Sequence, residues 1–305
     1  MSSAIRDSAS AGKFTGKALK LVSAGLLCLV TAFYALTVAD VRADMADLGE
    51  TAVPASNAKQ QRTLKLINYL IDKSHYRTVT LDDIFSVEVL DAYLDQLDPS
   101  KSFFLQSDID QFSRLQTEFD DFIREGTLKP AFAIFSIFRT RVEQRIEFAL
   151  ERLNKEFDFT LEEAYQLDRE EAKWANDTGE LDDLWRRRIK NDILSLRLAD
   201  KQENEIWTTL DRRYTHIARR TRQFKSEDVF QTFVNAYVNS IEPHTSYFSP
   251  RASENFKINM RLSLEGIGAV LQTDNEYTLV RRIVPGGPAD MGGMLKAEDR
   301  IIGVG

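Results

Sequence analysis

Glu242-Pro243-His244-Thr245-Ser246-Tyr247-Phe248-Ser249-Pro250 divides the sequence into two textures. Two prolines bracket a polar, aromatic segment, which reads as a structured loop between domains, extending over 242–256. Upstream of it, apolar residues recur every three or four positions, the signature of amphipathic helices. Leu64, Ile67, Leu70 and Ile71 make one face. Ile84, Val87, Leu90, Leu94 and Leu97 make the next, with Thr80 as its cap and Asp83 at its positive end. The Asp98-Pro99-Ser100 turn stops that helix. Another runs through Ile109, Phe112, Leu115, Phe119, Phe122 and Ile123, with Ser107 as cap, and ends at Gly126. A long helix follows Pro130, carrying Phe135, Phe138, Val142, Ile146, Ala149, Leu150, Leu153 and Phe157. Thr160-Leu161-Glu162-Glu163 has the spacing of a capping box. Further helices are expected over 181–198, 203–222 and 227–241. The helical domain is therefore bounded at 57–241, and its aromatic residues, including Trp174, Trp185 and Trp207, read as core rather than as a cofactor box.

Downstream of the loop the pattern becomes strand-like. Short apolar segments at 268–272, 277–280 and 300–304 are separated by Thr273-Asp274-Asn275 and Pro285-Gly286-Gly287-Pro288. The expected second domain, 257–305, is small and β-rich. Its strongest local signal is Leu262-Ser263-Leu264-Glu265-Gly266-Ile267-Gly268-Ala269-Val270. A glycine–apolar–glycine loop leading into a strand lets successive amides point into one concavity, where a terminal carboxylate can sit while the strand edge pairs with a peptide. Arg261 could add positive charge. Alone, the pattern is explained equally well by a tight turn before a strand.

Composition places the chain among folded proteins: 43% hydrophobic and 29% charged residues, with 19 phenylalanines against 14 glycines and 7 prolines. The net charge of −7 argues against a polyanion binder, and the basic run Arg186-Arg187-Arg188 is interleaved with acids, as on a solvated helix face. At the N-terminus, Lys13, Lys17 and Lys20 precede an apolar stretch from Leu21 to Ala39, followed by Val41-Arg42-Ala43. This reads as a secretory signal over 1–43, cleaved after Ala43 or Ala39, with an uncleaved membrane anchor as the alternative. A linker follows at 44–56. The single cysteine, Cys28, lies in the apolar stretch without the small residue that lipid modification wants before it. The exported chain would then lack disulfides and depend on its packed core.

Val284-Pro285-Gly286-Gly287-Pro288-Ala289-Asp290, then Glu298-Asp299-Arg300-Ile301-Ile302-Gly303-Val304, resembles the middle of a PDZ domain. Ser74-His75-Tyr76-Arg77, the segment 242–250 and Ser263-Leu264-Glu265-Gly266-Ile267-Gly268-Ala269-Val270-Leu271 resemble, in order, segments of the bacterial tail-specific serine proteases. The resemblance runs from about residue 60 to the end. It implies a mainly α N-terminal domain followed by an incomplete β-rich (α+β) PDZ domain, in a periplasmic enzyme of a Gram-negative bacterium. It also implies protein substrates chosen by apolar C-terminal tails, a periplasmic adaptor as a further partner, inner-membrane association, and no cofactor. Leu264, Gly266, Ile267, Gly268, Ala269 and Val270, with Arg261, would hold the tail. The family cleaves with a serine nucleophile and a lysine base. No residue up to 305 matches that dyad, so the chain by itself is expected to hydrolyse nothing; the helix that walls a PDZ groove would fall after residue 305, so the chain is also expected to bind tails weakly or not at all. A smaller departure is Lys296-Ala297-Glu298-Asp299, where relatives commonly carry glycine before the aspartate.

Other chemistry finds little support. His75, His216 and His244 come without metal-ligand spacing, so no metal site is expected. Ser246 lies two residues from His244 on one loop, a spacing that rarely lets a nucleophile meet its base, and no Gly-x-Ser-x-Gly elbow is present. A non-catalytic periplasmic adaptor built on the same PDZ segment, or an anchored scaffold, are the alternative readings.

Overall fold

The computed structural model describes residues 52–261, 266–274 and 277–303. A helical unit comes first. It comprises α1 (Ala58–Ser74), α2 (Asp83–Leu97), α3 (Gln106–Phe112), a 3-10 turn (Ser113–Leu115), α4 (Phe119–Glu125), α5 (Lys129–Leu153), α6 (Thr178–Leu198), α7 (Glu203–Arg222) and α8 (Ser226–Ile241). Helix α9 (Pro250–Arg261) leads to the second unit, made of β1 (Ala269–Asp274), β2 (Tyr277–Ile283), the short helix α10 (Pro288–Gly292) and β3 (Arg300–Ile301). The mainly α domain followed by a small antiparallel sheet is the expected fold class.

The long helices form where apolar periodicity is strongest. Phe135, Val142, Ile146 and Ala149 of α5 are buried against α7 and α6, while Val89, Leu90 and Tyr93 of α2 meet Phe233, Val234 and Tyr237 of α8. Aromatic side chains dominate this core, and their polar ends are satisfied. Trp185 donates its indole N–H to the Ser102 carbonyl at 2.7 Å, and the Tyr93 hydroxyl donates to the Ala131 carbonyl at 3.0 Å. Where the chain turns after α2, the fully buried Asp98 carboxylate accepts the amides of Ser102 (2.9 Å), Phe103 (2.8 Å) and Phe104 (3.1 Å). Three donors of an otherwise irregular segment are thereby satisfied.

Several local expectations need correction. Asp82, not Thr80, caps α2, its carboxylate accepting the Phe85 amide at 2.9 Å. Ser107 lies inside α3, where Asp108 turns back to accept the Leu105 amide. The helix expected from Ile109 to Ile123 is interrupted, because Ser86 of α2 accepts the Phe119 amide at 2.6 Å and starts α4 afresh. Thr160 opens no helix. Its amide and hydroxyl both donate to Asp158, and Glu163 pairs with Arg186 and Lys190 on α6 instead of capping. Leu70 and Ile84 point outward, at 50% and 75% exposure, leaving Gln60, Leu64, Ile67 and Ile71 as the inward face of α1. The loop expected over 242–256 extends only to Ser249. Pro250, whose fixed φ suits a first helical turn, begins α9, and the Ser253 amide donates back to the Ser249 carbonyl.

In the sheet, β2 is central, with β1 and β3 antiparallel on either side. Val280 is fully buried and Leu279 nearly so, in a small core of their own outside the helical one. β1 carries a bulge between Val270 and Leu271.

Candidate peptide-binding site

The chain enters β1 through Gly266-Ile267-Gly268. Gly268 has φ 74°, and a Cβ there would stand 3.0 Å from both the Gly287 Cα and the Pro288 Cδ. Only glycine fits the conformation and the contact together. Gly287 is the other half of that contact, since its own Cβ would meet the Gly268 Cα at 3.1 Å. The Pro285–Pro288 turn is therefore packed directly against the loop, and its conformation is held by Asp290, which accepts the Gly286 amide at 2.8 Å.

Two hydrogen bonds orient the loop's backbone. The Ile267 carbonyl accepts the Ala289 amide, and the Gly268 carbonyl accepts the Val284 amide, both at 2.8 Å. In a planar trans peptide the N–H points opposite the carbonyl. The amides of Gly268 and Ala269 are consequently directed away from α10 and β2, toward the edge of β1 that no described strand occupies. Along that edge Ile267, Val270 and Leu271 are 49%, 40% and 44% exposed. Two donors beside a strand edge that no described strand occupies, with exposed apolar side chains along it, are groups that an extended peptide ending in a carboxylate can pair with.

Of the residues the sequence pointed to, Gly266, Ile267, Gly268, Ala269 and Val270 come together here. Leu264 lies outside the described residues, and Arg261 ends α9 with its side chain outside them. Sequence reading missed Gly287, Ala289 and Asp290, which set the geometry without touching the open edge. The Pro-Gly-Gly-Pro run with an acid four residues after Gly286 was the available signal.

The acidic turn before β3 is also tied in. The Glu298 amide donates to the Val280 carbonyl at 2.7 Å, and the Val280 amide donates to the Asp299 carbonyl at 2.8 Å. Glu298 adopts φ 72°, a left-handed backbone at the position where glycine was expected.

Two segments far apart in sequence meet at the base of the helical unit. His75 Nδ1 lies 3.0 Å from the Arg77 carbonyl and 3.1 Å from the Arg77 amide, and its Nε2 lies 2.9 Å from the Thr245 hydroxyl. Thr245 and His244 both turn to Glu242, with His244 Nδ1 2.6 Å from its carboxylate. That hydrogen bond raises the His244 pKa above its ordinary 6.5 and lowers that of Glu242. His244 is almost wholly exposed, and its ring is turned to Glu242 rather than to Ser246. The rest of the segment is pinned to α8: Asn235 accepts the Tyr247 amide at 2.7 Å, and Tyr247 packs edge-on to Phe230. These contacts anchor the strut from which α9 departs.

Comparison with known proteins agrees with this architecture. The family model described as the tail specific protease N-terminal domain matches residues 66–251, and the PDZ domain model matches 255–305. A tail-specific protease of Haemophilus influenzae is 38% identical over 257 residues, covering 84% of this chain and 37% of that protein. The chain thus spans little more than a third of the length of that relative.

Proposed function

From the premise that this chain belongs to the tail-specific protease family, we propose that it selects proteins by their apolar C-termini for a serine-type carboxy-terminal processing peptidase. The observation that supports this most directly is the pair of Gly268 and Ala269 amides turned to the open edge of β1. A terminal carboxylate accepts from those amides, the residues before it add a strand to β1, and the last side chain rests among Ile267, Val270 and Leu271. Leu264 and Arg261 are assigned to the same site, the arginine contributing positive charge. Gly287 and Asp290 are positioning residues, acting through the loop they hold. Hydrolysis in the whole protein falls to a serine nucleophile activated by a lysine base, with helices α1–α8 buttressing the tail-binding unit through the strut at 242–249. The setting is the periplasm, reached through the leader at 1–43, with an adaptor protein as a further partner.

The test is fluorescence anisotropy with a labelled peptide ending in apolar residues, as free acid and as C-terminal amide. Losing one charge-assisted interaction costs about 1.5–3 kcal/mol, so the amide should bind roughly tenfold to a hundredfold more weakly, whatever the absolute affinity. Equal binding of the two peptides would overturn the reading. Gly268→Val, which strikes Pro288 and Gly287, should reduce free-acid binding to the level of the amide.

A further inference from the structure

The register of the sheet sorts its side chains by charge. Residues paired across an antiparallel ladder share a face, and successive residues of a strand alternate faces. Leu271 therefore shares the side of Val280, whereas Gln272 and its partner Leu279 lie on the other. Val270 with its partner Arg282, and Arg300 opposite Leu279 on β3, belong to that second face as well. The bulge passes the register from Arg282 directly to Val280, which leaves Arg281 as the extra residue of β2. Its Nε donates to Gln272 Oε1 at 2.6 Å, so the guanidinium stands on the Gln272 face and leans across from β2 onto β1. The Glu298 carboxylate is 3.6 Å from Arg281 Nη1, and both side chains are exposed.

A tail anchored at the Gly268 and Ala269 amides runs antiparallel to β1, its last residue opposite Ala269 and each earlier residue one step further along the strand. The fourth residue from the end then stands opposite Gln272 and turns its side chain to the face that carries Arg281. We propose that Arg281, held over β1 by Gln272, selects tails with an acidic side chain at that fourth position. This selectivity rests on the tail-binding reading of the same edge. Neighbouring strands lie about 4.8 Å apart, a gap that a guanidinium already over β1 and a glutamate side chain close between them. Because Gln272 Oε1 accepts from Arg281, the pair offers donors to a third strand: the guanidinium and the Gln272 amide nitrogen. A carboxylate answers both, a neutral amide answers them less strongly, and a lysine meets like charge. Glu298 competes only as an exposed pair, which holds an arginine weakly.

The test titrates the isotopically labelled full chain with short peptides that share one apolar ending. NMR spectra follow the backbone amides of Ala269 and Leu271 and the side-chain amide of Gln272, a readout that registers millimolar binding as well as tight binding. Glutamate at the fourth position from the end should bind about threefold more tightly than glutamine and about tenfold more tightly than lysine. Moving the same glutamate to the third position, on the side of Leu271 and Val280, keeps the peptide's charge and should remove the advantage. Arg281→Gln should level the glutamate and glutamine peptides, and Arg281→Glu should reverse the order in favour of lysine. Equal binding of the glutamate and lysine peptides, an advantage that follows the glutamate to the third position, or one that survives Arg281→Gln overturns the proposal. In each of those cases the tail-binding reading still stands if the free acid outbinds the C-terminal amide. If no peptide moves the β1 amides, both fall together.

Discussion

Glu298 holds a left-handed backbone without a glycine's freedom, and it does so because both neighbouring hydrogen bonds to Val280 require that turn. A side chain in this region costs about 1 kcal/mol. Its one compensation is a long contact with Arg281, 3.6 Å and exposed. Glu298→Gly should therefore strengthen the turn, slowing hydrogen exchange of the Val280 amide by about fivefold for ~1 kcal/mol. Faster exchange would show that the contact with Arg281 outweighs the backbone strain. The position could be suspected from the sequence, because the family resemblance leads to the expectation of a glycine there. Asp98 could not: a carboxylate beside a proline reads as a turn, and only the fold reveals three amides converging on it. Burial pushes its pKa up and those amides oppose the shift.

At the level of elements, the segment 154–177 behaves as a strap rather than the helix start its spacing suggested. Two aromatic residues fasten it through cations, Phe157 under Arg152 at 3.8 Å and Phe159 under Arg197 at 4.4 Å. Glu163 adds ion pairs to Arg186 and Lys190 of α6. The hydrogen bond from Arg186, then that from Lys190, lowers the Glu163 pKa from 4.5 to about 2. A depressed carboxylate contributes stability above its unfolded pKa and loses it as the pH falls through the folded one. Glu163→Gln should therefore lower the melting temperature near neutral pH, and the difference from the parent should shrink as the pH drops from 4.5 toward about 2. Melts followed by circular dichroism would check this. A gap that stays constant from about pH 7 to about pH 3 would mean that ionisation of Glu163 is not what holds the strap. The interruption between α3 and α4 has the same origin. Apolar periodicity cannot register a hydroxyl arriving from another helix, as Ser86 does at Phe119.

Across the whole molecule two cores coexist. All three tryptophans lie in the helical unit, whereas Val280 and Leu279 form the buried centre of the sheet. Val280→Ala should accelerate amide exchange in β1 and β2 while leaving the urea midpoint reported by tryptophan fluorescence unchanged. A midpoint that moves with the substitution would mean that the two units unfold as one. By itself, the sequence determined the helical and strand-like halves and the glycine-rich entry to the first strand, because periodicity, proline and glycine act over a few neighbouring residues. Tertiary structure alone decided that Gly268 packs on Gly287, that His75 reaches Thr245 across 170 positions, and that Leu70 faces outward. Those outcomes depend on which surfaces meet once the helices and strands have packed, and local pattern carries no record of such distant partners.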